Sequence, residues 1–263
     1  MVLLRKSFFY ALLFACAYSG LARAELTVYG SQVGEYMTKV GPTLDQSSGL
    51  MFEIAAAAFK KAGIATKMAP EVPWARAQQE ASDSAGGVLV ILARTPARES
   101  NWKWVSVIYN DKVLGYTMKD RPSFSSYDEI KSKKPSVGVK LGSASESILK
   151  DSGVDLQATA DLDKSFMKLL LGRVDVVILQ GMEVYPALQG ILKGADANQY
   201  RSKMADLKRT ALVELPLWVA TSKKTSEADE RKMREALENF KKTPEYQAIV
   251  QKYESRLDKA GLQ

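Results

Sequence analysis

Two short segments place an aromatic ring and three guanidinium groups close together in the sequence. Trp74 and Arg76 lie in the first segment, and Arg94 and Arg98 lie in the second. An arginine can hold a carboxylate through two parallel hydrogen bonds. Neither segment has a catalytic base or a set of metal ligands beside it, so the pattern predicts binding of a small anion rather than its chemical conversion.

Residues 1–24 have the pattern of a secretory signal peptide. A basic start and an apolar run precede small residues at the expected cleavage point, Ala24. Because the apolar run is too short for a membrane-spanning helix, we expect a periplasmic mature chain of residues 25–263. The alternative to simple cleavage is lipidation at Cys16, because residues 13–16 loosely resemble a lipoprotein box.

Composition excludes several classes of function. The only cysteine lies in the predicted signal peptide, and the chain has no histidine. These absences exclude disulfides, Ser-His and Cys-His catalysis, and zinc sites with cysteine or histidine ligands from the predicted mature chain. The net charge of +7 includes three basic residues of the signal segment, and the remaining basic residues are dispersed among acids. We therefore expect no nucleic-acid partner, no cofactor, no metal and no enzyme activity.

Strand and helix patterns alternate twice along the mature chain, which predicts an α/β protein of two lobes with mostly parallel sheets. Residues 25–111 plus 214–263 form the first predicted lobe, and residues 112–213 form the second. The two crossings between the lobes act as a hinge and create a cleft. Strand ends and helix starts face such a cleft in open α/β sheets, so the predicted helix starts at Trp74 and Ser143 aim at one ligand.

The individual elements follow from local patterns. A helix is predicted over residues 49–62, and a capping box of Ser143 and Glu146 marks another helix start. Separate strands are predicted at residues 104–108 and 113–118, on either side of Asp111, near which the second set of elements begins. Further strands are predicted at residues 26–30, 64–68, 87–92, 136–139, 157–160, 174–179 and 213–220.

Several short stretches follow the signal segment in a recognisable order: residues 49–54, 73–77, 94–99, 137–139, 142–143, 172–175, 246 and 252–253. In this order and spacing they resemble bacterial extracellular solute-binding proteins of family 3, the periplasmic receptors associated with polar amino-acid uptake. The resemblance covers nearly the whole mature sequence. It implies a type II periplasmic-binding clamshell, a monomer, that closes on a small ligand and delivers it to the permease of an ABC importer.

The resemblance also implies roles for individual residues. Arg98 stands where the family binds the ligand carboxylate, and Ser143 matches the second-lobe helix start that holds the same group. Tyr36 and Trp74 lie near the positions whose aromatic rings sandwich the ligand. The family's acceptor for an α-amino group is an aspartate, and by spacing that position is Gln180, which carries no negative charge.

The expected ligand is therefore a small, polar, carboxylate-bearing solute, either an amino acid or a related organic anion. With Arg76 and Arg94 as further contacts beside Arg98, a dicarboxylate or keto acid suits the site better than a zwitterion. For each arginine the alternative is a solvated surface ion pair, for example between Arg98 and Glu99.

Two other functions stay open at this point. The clamshell also suits a receptor that signals to a membrane partner after closing on its ligand. A dehydratase-like enzyme on the same scaffold would need an acid in the cleft, for which Glu35 and Glu183 are the candidates. Trp104 and Trp218 are expected to pack in the core.

Overall fold

The computed structural model describes residues 25–194 and 197–258. The predicted signal peptide and Cys16 lie outside these residues. None of the helices in this part of the chain is long and apolar enough to cross a membrane.

Within the described residues, eight strands form a single mixed sheet. They are β1 (Leu26–Tyr29), β2 (Thr66–Met68), β3 (Gly87–Ala93), β4 (Trp102–Met118), β5 (Ser136–Lys140), β6 (Asp155–Thr159), β7 (Val176–Gln180) and β8 (Leu207–Ser222). Their order in the sheet is β2-β1-β3-β8-β4-β7-β5-β6. At one end, β1 pairs in parallel with β2 and β3; at the other, β5 pairs in parallel with β6 and β7. The central pairs β3–β8, β8–β4 and β4–β7 are antiparallel.

The described residues form nine α-helices around the sheet, and the starts of several follow from local sequence. Ser126, Ser143 and Ser226 each accept a backbone N–H from the residue three positions on, which caps the following helix. The helices are α1 (Leu50–Lys61), α2 (Trp74–Asp83), α3 (Tyr127–Lys133), α4 (Ala144–Leu149), α5 (Leu162–Leu170), α6 (Gly181–Lys193), α7 (Ala197–Met204), α8 (Glu227–Phe240) and α9 (Pro244–Asp258).

This arrangement is a two-lobed α/β clamshell, as the sequence predicts. The first lobe is built on β1, β2 and β3, against which α1 and α2 pack. The second lobe is built on β5, β6 and β7, with α5 packed against all three. Strands β4 and β8 run through both lobes and cross the predicted boundaries at residues 111–112 and 213–214. The exact lobe boundaries stay a prediction.

The two separate strands predicted at residues 104–108 and 113–118 are one continuous strand, β4. Polar residues 110–112 resemble a turn, but they pair with residues 214–216 of β8 without a break. Pro216 lacks an N–H donor and is tolerated there because β3 pairs with β8 only from residue 217 onward. Tertiary pairing therefore overrides the local sequence signal at the point where the strands pass between the lobes.

The polar segment after β1, residues 31–48, is more ordered and more buried than its composition indicates. Isolated bridges join Val33 to Met37 and Lys39 to Ser48, and a short 3-10 helix covers residues 44–46. Tyr36 and Met37 are completely buried in the main hydrophobic core. This loop therefore packs as part of the first lobe rather than extending into solvent.

Candidate functional site

A small cavity lies between the lobes, where three strands end. Its volume is about 20 Å³, which is room for about one water molecule. Ala93, Lys140 and Gln180 are the last residues of β3, β5 and β7, and all three line it. Ligands bind at such carboxyl ends in open α/β sheets. The full lining is Val33, Trp74, Ile91, Leu92, Ala93, Arg98, Lys140, Gly142, Ser143, Ala144, Gln180 and Glu183.

The structure brings four of the predicted site residues together at this cavity. Trp74, at the start of α2, and Arg98, in the 3-10 helix after β3, come from the first lobe. Ser143, the cap of α4, and Gln180, at the end of β7, come from the second. Both lobes therefore contribute polar groups to one small space.

The structure places the other three predicted site residues away from the cavity lining. Arg76 is exposed on α2 and forms an ion pair with Glu80, at 2.7 Å between Nε and Oε1. Arg94 is exposed and forms a two-pronged ion pair with Glu99. Tyr36 is buried in the hydrophobic core and does not line the cavity. Their roles as ligand contacts stay predictions, and this arrangement does not support them.

Arg98 connects the two lobes through backbone carbonyls. Its Nη1 donates to the Ala93 oxygen at 3.0 Å, and its Nη2 donates across the cleft to the Gly142 oxygen at 2.7 Å. Burial lowers the pKa of Arg98 to about 10, while the charge of Glu146 opposes that shift, so the guanidinium stays charged at neutral pH. These two bonds use two of its five N–H donors, so donors remain for a carboxylate.

Gly142 is one point at which the second lobe touches the first. Its oxygen also accepts from Nε2 of Gln78 at 3.2 Å. Gly142 has φ +76°, and a Cβ there would lie 3.1 Å from Gln78 Nε2 and 3.2 Å from the Ala75 Cβ. Only glycine therefore allows this backbone conformation and this approach together. An open groove of about 960 Å³ lies beyond the contact and includes Glu146 in its lining.

Lys140 and Glu183 form a buried ion pair in the cavity wall. Lys140 Nζ lies 3.2 Å from Glu183 Oε1, and the side chains are only 13% and 5% exposed. The second oxygen of Glu183 accepts the backbone N–H of Gln180 at 3.4 Å. Sequence reasoning missed Lys140. Its signal was its place at the end of a buried strand, two residues before the Gly142–Ser143 motif.

Gln180 offers acceptor capacity at the cavity. Its side chain faces the Glu183 N–H at the start of α6, as in a capping box, but its buried Oε1 makes no hydrogen bond of normal geometry within the described part of the chain. A buried acceptor that is incompletely satisfied destabilises the protein, so such an atom often marks a ligand site.

A second set of polar contacts between the lobes lies deeper, beside the crossing strands. The Tyr36 hydroxyl donates to Asp111 Oδ2, which also accepts the Met182 backbone N–H at 3.4 Å. Burial raises the pKa of Asp111, and burial together with the Asp111 charge raises that of Tyr36. A Cβ on Gly181 would lie 2.7 Å from Asp111 Oδ1, so glycine is required at that helix start. We call Tyr36, Asp111, Gly181 and Met182 the crossing junction.

Arg94 belongs to a separate aromatic cluster. Its guanidinium carbon lies 5.4 Å from the centre of the Trp104 ring and 5.1 Å from that of Trp218. The two tryptophan rings meet edge to face at 6.0 Å, which agrees with their expected packing role. Arg94 is therefore held by π faces and by Glu99.

No family model matches the chain, and no curated protein matches it significantly. Solved structures with the same fold do match. The substrate-binding protein of an amino-acid ABC transporter is 19% identical, with a TM-score of 0.60 over 87% of this chain and 98% of the other. A histidine kinase sensor domain with similarity to periplasmic binding proteins is 15% identical, with a TM-score of 0.68 over 88% and 96%.

A third similar structure is an ancestral amino-acid-binding protein described as a precursor of cyclohexadienyl dehydratase. It is 17% identical, with a TM-score of 0.63 over 88% of this chain and 96% of the other. Further matches are arginine-binding proteins. At these identities the comparisons establish the fold: the chain has the clamshell fold of amino-acid-binding periplasmic proteins, in agreement with the resemblance seen in the sequence.

Proposed function

We propose that this protein is a periplasmic substrate-binding protein that captures a small carboxylate-bearing solute for an ABC importer. The observation that carries the proposal is Arg98, a partly buried and charged guanidinium in the wall of a cavity between two lobes. A carboxylate is the partner that such a group pairs with most strongly. The amino-acid-binding proteins that share the fold support this ligand class.

Capture requires the lobes to move. A cavity of about 20 Å³ cannot admit an amino acid or a similar anion. Opening about β4 and β8 separates Arg98 from Gly142 and exposes the guanidinium to solvent. In the proposed mechanism Arg98 and Trp74 bind the solute first, and the second lobe then closes with Ser143 and Gln180. Selectivity comes from buried polar groups that a wrong ligand leaves unpaired.

The remaining parts of the proposal follow from the sequence. The signal peptide directs export to the periplasm, the lobes are residues 25–111 plus 214–263 and residues 112–213, and the receptor acts as a monomer with a membrane permease. A sensing receptor is the second candidate, because a histidine kinase sensor domain shares the fold. Both candidates need the same ligand-driven closure.

An enzyme on this scaffold receives less support from the site. Of the two candidate acids, Glu183 is paired with Lys140. Glu35 is buried and does not line the cavity. A dehydratase needs an acid positioned to exchange a proton with the substrate, and neither carboxyl group is placed for that task. We infer that the protein binds its solute without converting it.

Arg98→Ala tests the proposal, with Arg94→Ala as the matched control. The full chain is expressed and exported, and the purified protein is unfolded and refolded to remove bound solute. It is then screened by thermal shift and calorimetry against amino, hydroxy, keto and dicarboxylic acids. At a hundred times its dissociation constant, a true ligand stabilises the protein by about 2.7 kcal/mol.

Loss of Arg98 is expected to weaken binding about a hundredfold, because a charge-assisted, two-pronged hydrogen bond is lost. Arg94→Ala removes the same charge at an exposed ion pair and is expected to change affinity less than twofold. Equal affinities for Arg98→Ala and the wild type would show that Arg98 does not hold the ligand. A folded protein that binds no carboxylate would overturn the proposal.

A further inference from the structure

We propose that the cavity selects a 2-hydroxy acid with an apolar side chain, and that Lys140 excludes the corresponding amino acid. This inference rests on the proposed function and narrows its ligand class. Two observations carry it: the charges in the cavity wall and the acceptor capacity of Gln180.

The charges in the wall favour a ligand with one negative charge. Arg98, Lys140 and Glu183 are the charged side chains in the lining. Lys140 and Glu183 neutralise each other at 3.2 Å, so the positive charge of Arg98 is left for the ligand. Glu146 moderates that charge from the outer groove, where its carboxylate is engaged by the Gly142 N–H. A monocarboxylate therefore balances the inner site.

The ion pair also excludes an α-ammonium group. Glu183 is the one carboxylate in the described lining, and Lys140 already occupies one of its oxygens. An ammonium that displaced Lys140 would leave a buried lysine charge without a partner, and burying an unpaired charge is strongly unfavourable. Lys140 thus takes the place that a ligand ammonium would need.

Gln180 distinguishes a hydroxy acid from a keto acid. Among the described residues, its buried Oε1 is approached by the Glu183 N–H but makes no hydrogen bond of normal geometry, and it can only accept one. A hydroxyl group donates a hydrogen bond, whereas a keto oxygen cannot and would leave Oε1 incompletely satisfied. Since Arg98 and Gln180 line the same cavity, a hydroxyl next to the carboxylate suits the pair. The rest of the wall is largely apolar, with Val33, Trp74, Ile91, Leu92 and Ala144.

The test uses compounds that share a carbon skeleton and differ in one group. Lactate, alanine and pyruvate form one set, and the hydroxy, amino and keto acids with the leucine and phenylalanine skeletons form two more. Each chiral compound is used as both enantiomers. Calorimetry on the refolded protein gives the affinities. In at least one set we expect the hydroxy acid to bind tenfold or more tighter than its amino and keto counterparts.

Lys140→Met sharpens the test, because it frees the Glu183 carboxylate for a ligand ammonium. We expect the affinity ratio of amino acid to hydroxy acid to rise at least tenfold. The double variant Lys140→Met/Glu183→Gln is the control: it keeps the new apolar side chain but has no carboxylate, so the ratio should return toward that of the wild type. Circular dichroism of each variant verifies that it is folded.

Three results would overturn the inference and leave the proposed function standing. They are an amino acid or keto acid that binds the wild type as tightly as the tightest-binding hydroxy acid, an unchanged ratio in folded Lys140→Met, and binding only of carboxylates outside these sets. If no carboxylate of any kind binds the folded protein, the proposed function itself fails.

Discussion

Two sets of hydrogen bonds connect the lobes, but they are built differently. One is the cleft contact, which Arg98 and Gln78 make with Gly142; the other is the crossing junction. At the cleft, Arg98 and Gln78 donate to a single backbone oxygen of Gly142 from partly buried positions. At the junction, Tyr36 is completely buried and Asp111 is 7% exposed. The cleft contact therefore borders an open groove, whereas the junction is enclosed by the core.

This difference indicates which contact can open. Water can replace the hydrogen bonds to Gly142 when the lobes separate, so breaking them has a small net cost. Water cannot reach Tyr36 and Asp111 without unpacking the core, so breaking that junction leaves a buried charge with fewer partners. In the proposed mechanism the junction stays intact near the hinge, while the cleft contact forms and breaks with each ligand.

The largest expected effect comes from Asp111→Ala. This change removes the acceptor for the Tyr36 hydroxyl and the Met182 N–H, both in a buried setting. We expect the free energy of unfolding to fall by about 3 kcal/mol, measured by urea denaturation. Asp120→Ala, at an exposed aspartate, should change it by less than about 0.5 kcal/mol. Similar values for the two variants would mean that the junction does not hold the lobes together.

A smaller effect is expected from Asp111→Asn, which keeps an acceptor oxygen but cannot titrate. Burial raises the pKa of Asp111 above its ordinary value of 3.8. At pH values between the pKa of the unfolded state and that of the folded state, the folded protein therefore binds more protons than the unfolded protein. The contribution of this group to stability is therefore lost as pH rises through that window.

Asp111→Asn should remove this part of the pH dependence. The free energy of unfolding of both proteins is measured by urea denaturation at a series of pH values from about 3.5 upward. As pH rises, the value for the wild type is expected to fall relative to that of Asp111→Asn, by at most about 1.4 kcal/mol per pH unit. A difference between the two proteins that stays constant with pH would show that Asp111 does not titrate differently on folding.

Most of the fold could be predicted because its signals are local. The apolar run of β3, the buried face of α1 and the serine cap of α4 each depend on a few neighbouring residues. The continuity of β4 could not be predicted, because its polar residues 110–112 are held in the strand by distant partners in β8. The burial of Tyr36 depends likewise on Asp111, far along the chain.

The site shows the same limit. Arg94 and Arg98 lie four residues apart, and both are plausible carboxylate ligands by type. Their surroundings separate them: Arg94 meets two tryptophan rings brought together by β4 and β8, whereas Arg98 meets the Ala93 and Gly142 carbonyls. The role of Lys140 could not be predicted from its neighbours in the sequence. It depends on the fold, which brings the end of β5 to the start of α6 and so places the Lys140 ammonium against Glu183.

The smallest expected effect is that of Gln78→Ala at the cleft. Gln78 donates to the Gly142 oxygen across the cleft at 3.2 Å and to the Trp74 oxygen within its own helix at 3.4 Å. We expect the free energy of unfolding to change by less than about 0.5 kcal/mol. The ligand affinity, measured by calorimetry, should fall about two- to fivefold, because one hydrogen bond that favours the closed form is lost.

Gln79→Ala is the matched control for this prediction. Gln79 neighbours Gln78 and lines the outer groove, but it donates to Asp83 within α2, so its loss should leave the affinity unchanged. A large loss of stability in Gln78→Ala would make the cleft contact a fixed joint like the crossing junction. Unchanged stability with weaker binding would show that the Gln78–Gly142 contact stabilises the closed form rather than the fold. A single side chain would then distinguish the cleft contact, which opens and closes, from the crossing junction, which stays intact.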